Sequence, residues 1–170
     1  CALPIWPTMT VLENVMVGAF TATKTGFVQS MLRLPGSRSE EKETKRRAYE
    51  VLDELGLADV AFKPATGLPF GTLKRIEIAR ALIGKPRLLM LDEPASGLTH
   101  SEVDELSETI KLLRDRHKLS VLLVEHHMKM VMSISEHVVV LNFGQKIAQG
   151  TPSEVQQNEA VIEAYLGSGA

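Results

Sequence analysis

The sequence predicts an α/β protein built on a mainly parallel sheet. Three observations carry that prediction. Two short apolar runs, Leu88–Leu91 and Val121–Val124, each end in polar residues. A run of this length bounded by turn formers reads as a strand buried on both faces, as in a parallel sheet. Between the runs lies an amphipathic helical stretch, and strand–helix–strand order with short connections favours a parallel crossover.

The elements follow in order. Thr10-Val11-Leu12-Glu13 has the form of a capping box, so a helix should start near Val11 and run to about Phe20. Residues 24 to 38 show little period and contain Pro35-Gly36, a turn signal. Ser39 is placed to cap a helix from Glu40 to Leu55, with Ala48, Val51, Leu52 and Leu55 as its apolar stripe and Gly56 as its stop. After a loop, a helix is expected from Thr72 to Ile83, ended by Gly84 and Pro86. A strand over 87–92 follows. Ser101 then caps a helix to His117 with Val103, Leu106, Ile110 and Leu113 inward. A strand over 119–124 leads to a short helix from Met128 to Ser133. Strands near 137–142 and 146–149 flank Asn142-Phe143-Gly144-Gln145 and read as a hairpin. Pro152 opens the terminal helices.

Chemistry concentrates at Asp92 and Glu93, which close the first strand where open α/β sheets bind ligands. Two adjacent acids there can divide the work of nucleotide hydrolysis. One can hold Mg²⁺, an ion that prefers oxygen ligands and keeps much of its water. The other can orient and activate an attacking water. Taken alone, the same residues are equally a strand ending in an Asp/Pro turn.

Order along the chain separates these readings. Leu68-Pro69-Phe70-Gly71-Thr72 opens a helix, Leu89 to Glu93 is a strand with two acids, Ser96-Gly97-Leu98-Thr99 follows, and Val121–Val124 ends in Glu125-His126-His127. That succession resembles the ATP-binding subunit of an ABC transporter: signature loop, Walker B strand, D-loop and switch histidine. The resemblance implies a P-loop NTPase-like core with a helical subdomain. It divides the chain into a partial helical subdomain (1–66), the later part of the α/β core (67–150) and a helical tail (151–170). Pro7 to Val15 is similar to the segment after the family's Q-loop. The tail from Gly150 to Gly167 resembles importers of branched-chain amino acids.

By that resemblance Glu93 polarises the lytic water, Asp92 belongs to the Mg²⁺ shell, and His126 hydrogen-bonds the γ-phosphate of ATP. Leu68, Gly71, Thr72, Ser96 and Gly97 would contact nucleotide, with glycine and a helix N-terminus suited to phosphate. The partners implied are a second ATPase subunit, identical or different, and a membrane permease that meets the surface between about Val15 and Val60. The chain departs from the family at several points. Against the common Leu-Ser-Gly-Gly-Gln, Pro69 replaces the serine, Phe70 the first glycine and Thr72 the glutamine. Thr99 stands where the D-loop has Asp. His127 and Glu125 are assigned no role, the first as a surface residue and the second as structural.

No Gly-x-x-x-x-Gly-Lys-Ser/Thr occurs in the 170 residues. The Walker A loop, the strands before it and the Q-loop glutamine are absent, so the expectation is a C-terminal fragment, with Cys1 to Ile5 a foreign leader. Net charge of −2 provides no basic field for nucleic acid. The four basic residues in Lys42–Arg47 are interleaved with acids and read as a solvated helix face. The single cysteine excludes an internal disulfide and offers no zinc pattern. No apolar run approaches bilayer length. The expectation is a cytoplasmic protein, peripheral on the inner membrane face through its permease. Two other readings compete with this one: a soluble ABC ATPase acting on nucleic acid or the ribosome, and a binding module without catalysis. Without a phosphate cradle, the 170-residue chain by itself is predicted to bind ATP weakly or not at all. Calorimetric titration yielding micromolar affinity would contradict this.

Overall fold

The computed structural model describes residues 4–19 and 35–166. Helix α1 spans Val11–Met16 and starts as expected: the Thr10 side chain accepts from the Glu13 N–H, and Glu13 reaches back to the Thr10 N–H. It does not continue as an α-helix towards Phe20. The chain tightens into a 3-10 turn over Val17–Ala19, and Phe20 lies outside the described residues. The cause is close packing, because Gly18 lies so near Arg80 that a Cβ there would sit 1.8 Å from its carbonyl oxygen.

Helix α2 spans Pro35–Glu54, so it starts earlier than the expected Ser39 cap. Pro35-Gly36 is a helix start here, not a turn; proline suits a first helical turn because its missing N–H has no intrahelical partner there. The rest of the expected loop falls mostly outside the described residues. Gly56, at φ +67°, follows the helix as predicted. Ala48, Leu52 and Leu55 are buried, with Val51 packed beside them. Most of the basic run lies in solvent: Lys42, Lys45 and Arg46 are exposed, with Arg46 paired to Glu43 and Glu50 along the helix, whereas Arg47 is half-buried and donates to the Ile83 carbonyl.

Helix α3 spans Phe70–Leu82, two residues earlier than Thr72, and buries Ile76, Ile78, Ala79 and Leu82. Strand β1 (Leu88–Asp92) pairs in parallel with β2 (Ser120–Val124), level from Leu88↔Ser120 to Asp92↔Val124. Helix α4 (His100–His117) is the crossover between them and buries Val103, Leu106, Ile110 and Leu113 as predicted. Its cap is Thr99, not Ser101: Thr99 accepts from the Glu102 N–H and Glu102 returns a capping box. The three-residue spacing from Thr99 to Glu102 carries that signal, whereas Ser101 already lies within the first turn. Glu54 then ties α2 to the end of α4, 3.1 Å from Arg116 and 3.0 Å from His117.

The two strands are not buried on both faces. Leu89 is buried, yet Leu88 and Met90 on the other face are 49% and 63% exposed. Leu122 and Val124 share that open face. Beyond them come helix α5 (Met128–Ile134) and a hairpin of β3 (Val138–Asn142) and β4 (Gln145–Gly150), antiparallel as the turn residues predicted. Phe143 and Gly144 turn the hairpin at φ +48° and +78°, the handedness that matches strand twist. An open cleft of about 990 Å³ separates β2 from β3 and is lined in part by Leu122, Val124, Val139, Leu141 and Tyr165. Helix α6 (Pro152–Gln156) is capped by Thr151 and Glu154, and a short α7 (Glu159–Val161) follows.

Two cores result. The larger joins α1, α2, α3, β1 and α4; the smaller gathers Val138, Val140, Val155 and Val161. Inside the larger one, buried Asn14 accepts from the Trp6 N–H and donates to the carbonyls of Trp6 and Thr10, pinning the chain before α1. No helix among the described residues is long and apolar enough to cross a membrane.

Gly18→Ala is predicted to destabilise the chain by about 3 kcal/mol or more, because backbone rather than a flexible side chain blocks the added methyl. Urea unfolding measures this; an unchanged midpoint would show that the α1–α3 contact is looser than described.

Candidate functional site

The level register of β1 and β2 brings their carboxyl ends together. One residue past β1, the Glu93 N–H donates to the Val124 carbonyl at 2.8 Å, extending the ladder. Glu93 itself takes φ +44°, a left-handed conformation that costs a non-glycine residue about 1–3 kcal/mol and turns its side chain out of the strand. Its carboxylate lies 3.6 Å from Nδ1 of His126. Both side chains are more than half exposed, so water screens the pair and it contributes little to stability. Predicted catalytic residues 33 positions apart therefore share one spot at the strand ends.

Asp92 is exposed at the same end, and its carboxylate has no hydrogen bond or ion pair with a described residue. A free, hydrated carboxylate suits Mg²⁺, which takes few protein ligands and keeps its waters. No group of three or more acids, histidines or cysteines among the described residues forms a closed metal cage.

Behind this open pair stands a buried acid. The Glu125 side chain is 0% exposed. Its Oε1 accepts from the Ala95 N–H at 2.7 Å, and its Oε2 from the N–H groups of His126 and His127 at 2.9 and 3.1 Å. Charge removed from water needs such donors, and here they come from the loops after both strands. The only signal in the sequence was its position, an acid directly after an apolar strand. His127 is not the surface residue expected. It precedes α5, is half-buried, and meets His100 edge-on with ring centroids 6.1 Å apart. Its Nδ1 is buried with no hydrogen-bond partner among the described residues.

The other predicted contacts fall in two adjoining loops. Leu68 packs against the larger core, and Gly71 and Thr72 lie in the first turn of α3. Pro69 caps that helix without a side-chain hydrogen bond, which leaves the first-turn N–H groups available to an anion. Ser96 and Gly97 form the turn after β1, with the Ser96 N–H donating to the Glu93 carbonyl at 3.1 Å. Gly97 is left-handed at φ +80°, and a Cβ there would come within 3.0 Å of the Phe70 ring. Phe70 thus lies on the Gly97 turn, with Lys74 Nζ 5.3 Å from its ring centre. Gly71 is equally close to α4: a Cβ would meet Glu102 Oε1 at 2.9 Å. No hydrogen bond or ion pair among the described residues joins Gly71 or Thr72 to Glu93 or His126.

Comparison with known proteins supplies a family and a fold. A family profile described as "ABC transporter" matches residues 3–96, and one described as "Branched-chain amino acid ATP-binding cassette transporter" matches 145–170. The first match takes in residues 3–5, part of the segment Cys1 to Ile5 set apart above. Ile5 also packs on the core, and the Pro4 carbonyl accepts from Arg80 at 3.2 Å. The chain is 44% identical to the high-affinity branched-chain amino acid transport ATP-binding protein BraF of Pseudomonas aeruginosa, over 94% of this chain and 62% of that protein. It is 43% identical to LivG of Escherichia coli, which bears the same description, with the same coverage. The chain thus spans less than two thirds of these relatives. Among solved structures it resembles the ADP conformation of MJ1267, an ATP-binding cassette of an ABC transporter, with TM-score 0.78 and 26% identity over 98% of this chain and 66% of that one.

The Thr99–Glu102 box that frames Gly71 has a pH signature. Hydrogen bonds from the Thr99 backbone and hydroxyl hold the Glu102 carboxyl below its ordinary 4.5. The folded value is the lower one, so the charge contributes stability above pH 4.5 that is lost as pH falls through the folded value. Glu102→Gln should therefore melt lower than the parent at neutral pH, with the gap closing in acid. Melting curves with a constant gap at every pH would refute this.

Proposed function

The chain belongs to the ABC transporter family, and on that premise we propose that it acts in the energy-coupling ATPase of an importer of branched-chain amino acids. One observation carries the catalytic part: the 3.6 Å approach of Glu93 and His126 at the shared end of two parallel strands. The solute class is supported by the match over 145–170 and by 44% identity to a branched-chain amino acid transport protein.

In this reading ATP is the substrate. Glu93, turned outward and solvated, accepts a proton from the water that attacks the γ-phosphate. His126 donates a hydrogen bond to that phosphate and registers its presence. Asp92 would hold Mg²⁺, which when bound neutralises charge on the phosphates. The first turn of α3 around Gly71 and Thr72, with Leu68, Ser96 and Gly97 nearby, faces nucleotide held by a second ATPase subunit. Closure of the two subunits on ATP and their release after hydrolysis would drive a membrane permease. That cycle follows from tighter ATP binding in the closed state. The chain would then sit on the cytoplasmic side of the membrane through the permease. The helical region, 1–66, would meet the permease; 67–150 would carry catalysis and 151–170 a separate tail.

The test uses a chimera in which the chain follows the part of the P. aeruginosa relative that it does not span. Glu93→Gln should lower ATP turnover about 10²–10⁴-fold while ATP binding is retained, the range for loss of a general base. Turnover at the parental rate would remove Glu93 from the mechanism. Uptake of labelled leucine in cells lacking the relative then tests the solute class, and no uptake by an ATPase-active chimera would overturn it.

A further inference from the structure

Building on the catalytic reading above, we propose that Glu125 is a positioning residue whose buried carboxylate couples the turn after β1 to the switch histidine. Among the described residues, the two loops that carry the site are otherwise joined by the backbone bond from Glu93 to Val124 at their roots and by the exposed, water-screened approach of Glu93 to His126. Glu125 closes the gap: one oxygen holds the Ala95 N–H of the first loop, and the other holds the N–H groups of His126 and His127 in the second. The side chain is wholly shielded from water, so these bonds are not traded for solvent. Ala95 is itself buried and lies directly before Ser96 and Gly97, so displacement of that turn pulls on the same carboxylate that holds the backbone of His126. A change at the turn after β1 is thereby relayed to the imidazole facing Glu93. The carboxylate touches neither water nor phosphate in this scheme; it acts through the loops it ties.

Chemistry makes the link separable. An amide in place of the carboxylate has one acceptor. With its oxygen towards His126 and His127, its NH₂ meets the Ala95 N–H donor to donor, so Glu125→Gln breaks the link between loops and leaves the local bonds. Glu125→Ala breaks all of them. In the 170-residue chain, Glu125→Gln should raise hydrogen exchange at the Ala95 amide about tenfold or more, with little change at Leu91 inside β1. In the chimera, it should lower kcat for ATP about 10–100-fold, the cost of a small misplacement, with KM changed less than about threefold. Unchanged exchange at Ala95 would show that the bond does not exist in solution. Faster exchange with unchanged kcat would show that the link is structural only. A parallel loss in KM would point to a general collapse of the site. If Glu93→Gln keeps parental turnover, the catalytic reading fails, and the exchange measurement still decides whether Glu125 ties the loops.

Discussion

The level pairing of β1 with β2 is the constraint on which the site depends. Side chains alternate along a strand, so a shift of one residue would turn Leu89 outward and carry Glu93 away from His126. Burial fixes the pairing on one face only, where α4 supplies Val103, Leu106, Ile110 and Leu113. The other face, with Leu88, Met90, Leu122 and Val124 open, adds nothing to the choice. The Glu93 to Val124 bond and the Glu125 carboxylate therefore extend register control past the last apolar pair, into the loops where hydrophobic contact has ended.

Helix starts show the same division between local and distant control. Thr10, Thr99 and Thr151 each form a complete capping box with a Glu three residues on. Such a box is decided within four residues, and the first was legible in the sequence for that reason. The second was obscured by Ser101, a good cap residue two positions too late. Helix α2 was misjudged at Pro35 because Pro-Gly favours a turn on local grounds, while proline also suits a first helical turn. The end of α1 was set from 62 residues away, by the carbonyl of Arg80 against Gly18. No pattern within α1 could have announced that contact.

The chemistry was legible where it depends on order and strand ends. Asp92, Glu93 and His126 were expected at one edge because parallel strands deliver their next residues there, and Glu93 and His126 do meet. Glu125 was passed over because its value lies in three backbone donors, which exist only once both loops are in place. His127 looked like a surface residue, since nothing in the sequence places His100 beside it. The expectation of doubly buried strands failed for a related reason. Apolar composition reports what a strand can bury, whereas cover on each face depends on which elements lie against it.

The departures from the family pattern are explained by packing within this chain. Phe70, where a glycine is common, lies on the Gly97 turn and under Lys74. Thr99, where an acid is common, caps α4 and fixes Glu102 beside Gly71. Pro69, where a serine is common, begins α3 with no side-chain bond to its first-turn amides. Two side chains have thus taken up contacts inside the subunit, and the third offers no hydroxyl to a ligand. What remains for an anion at that helix is backbone N–H and the helix dipole, donors that survive side-chain substitution. The Phe70–Gly97 contact also joins the turn at the start of α3 to the turn that Glu125 holds through Ala95. A path of packed groups therefore runs from Gly71 through Phe70, Gly97 and Ala95 to the backbone of His126, with the carboxylate of Glu125 as its one charged member.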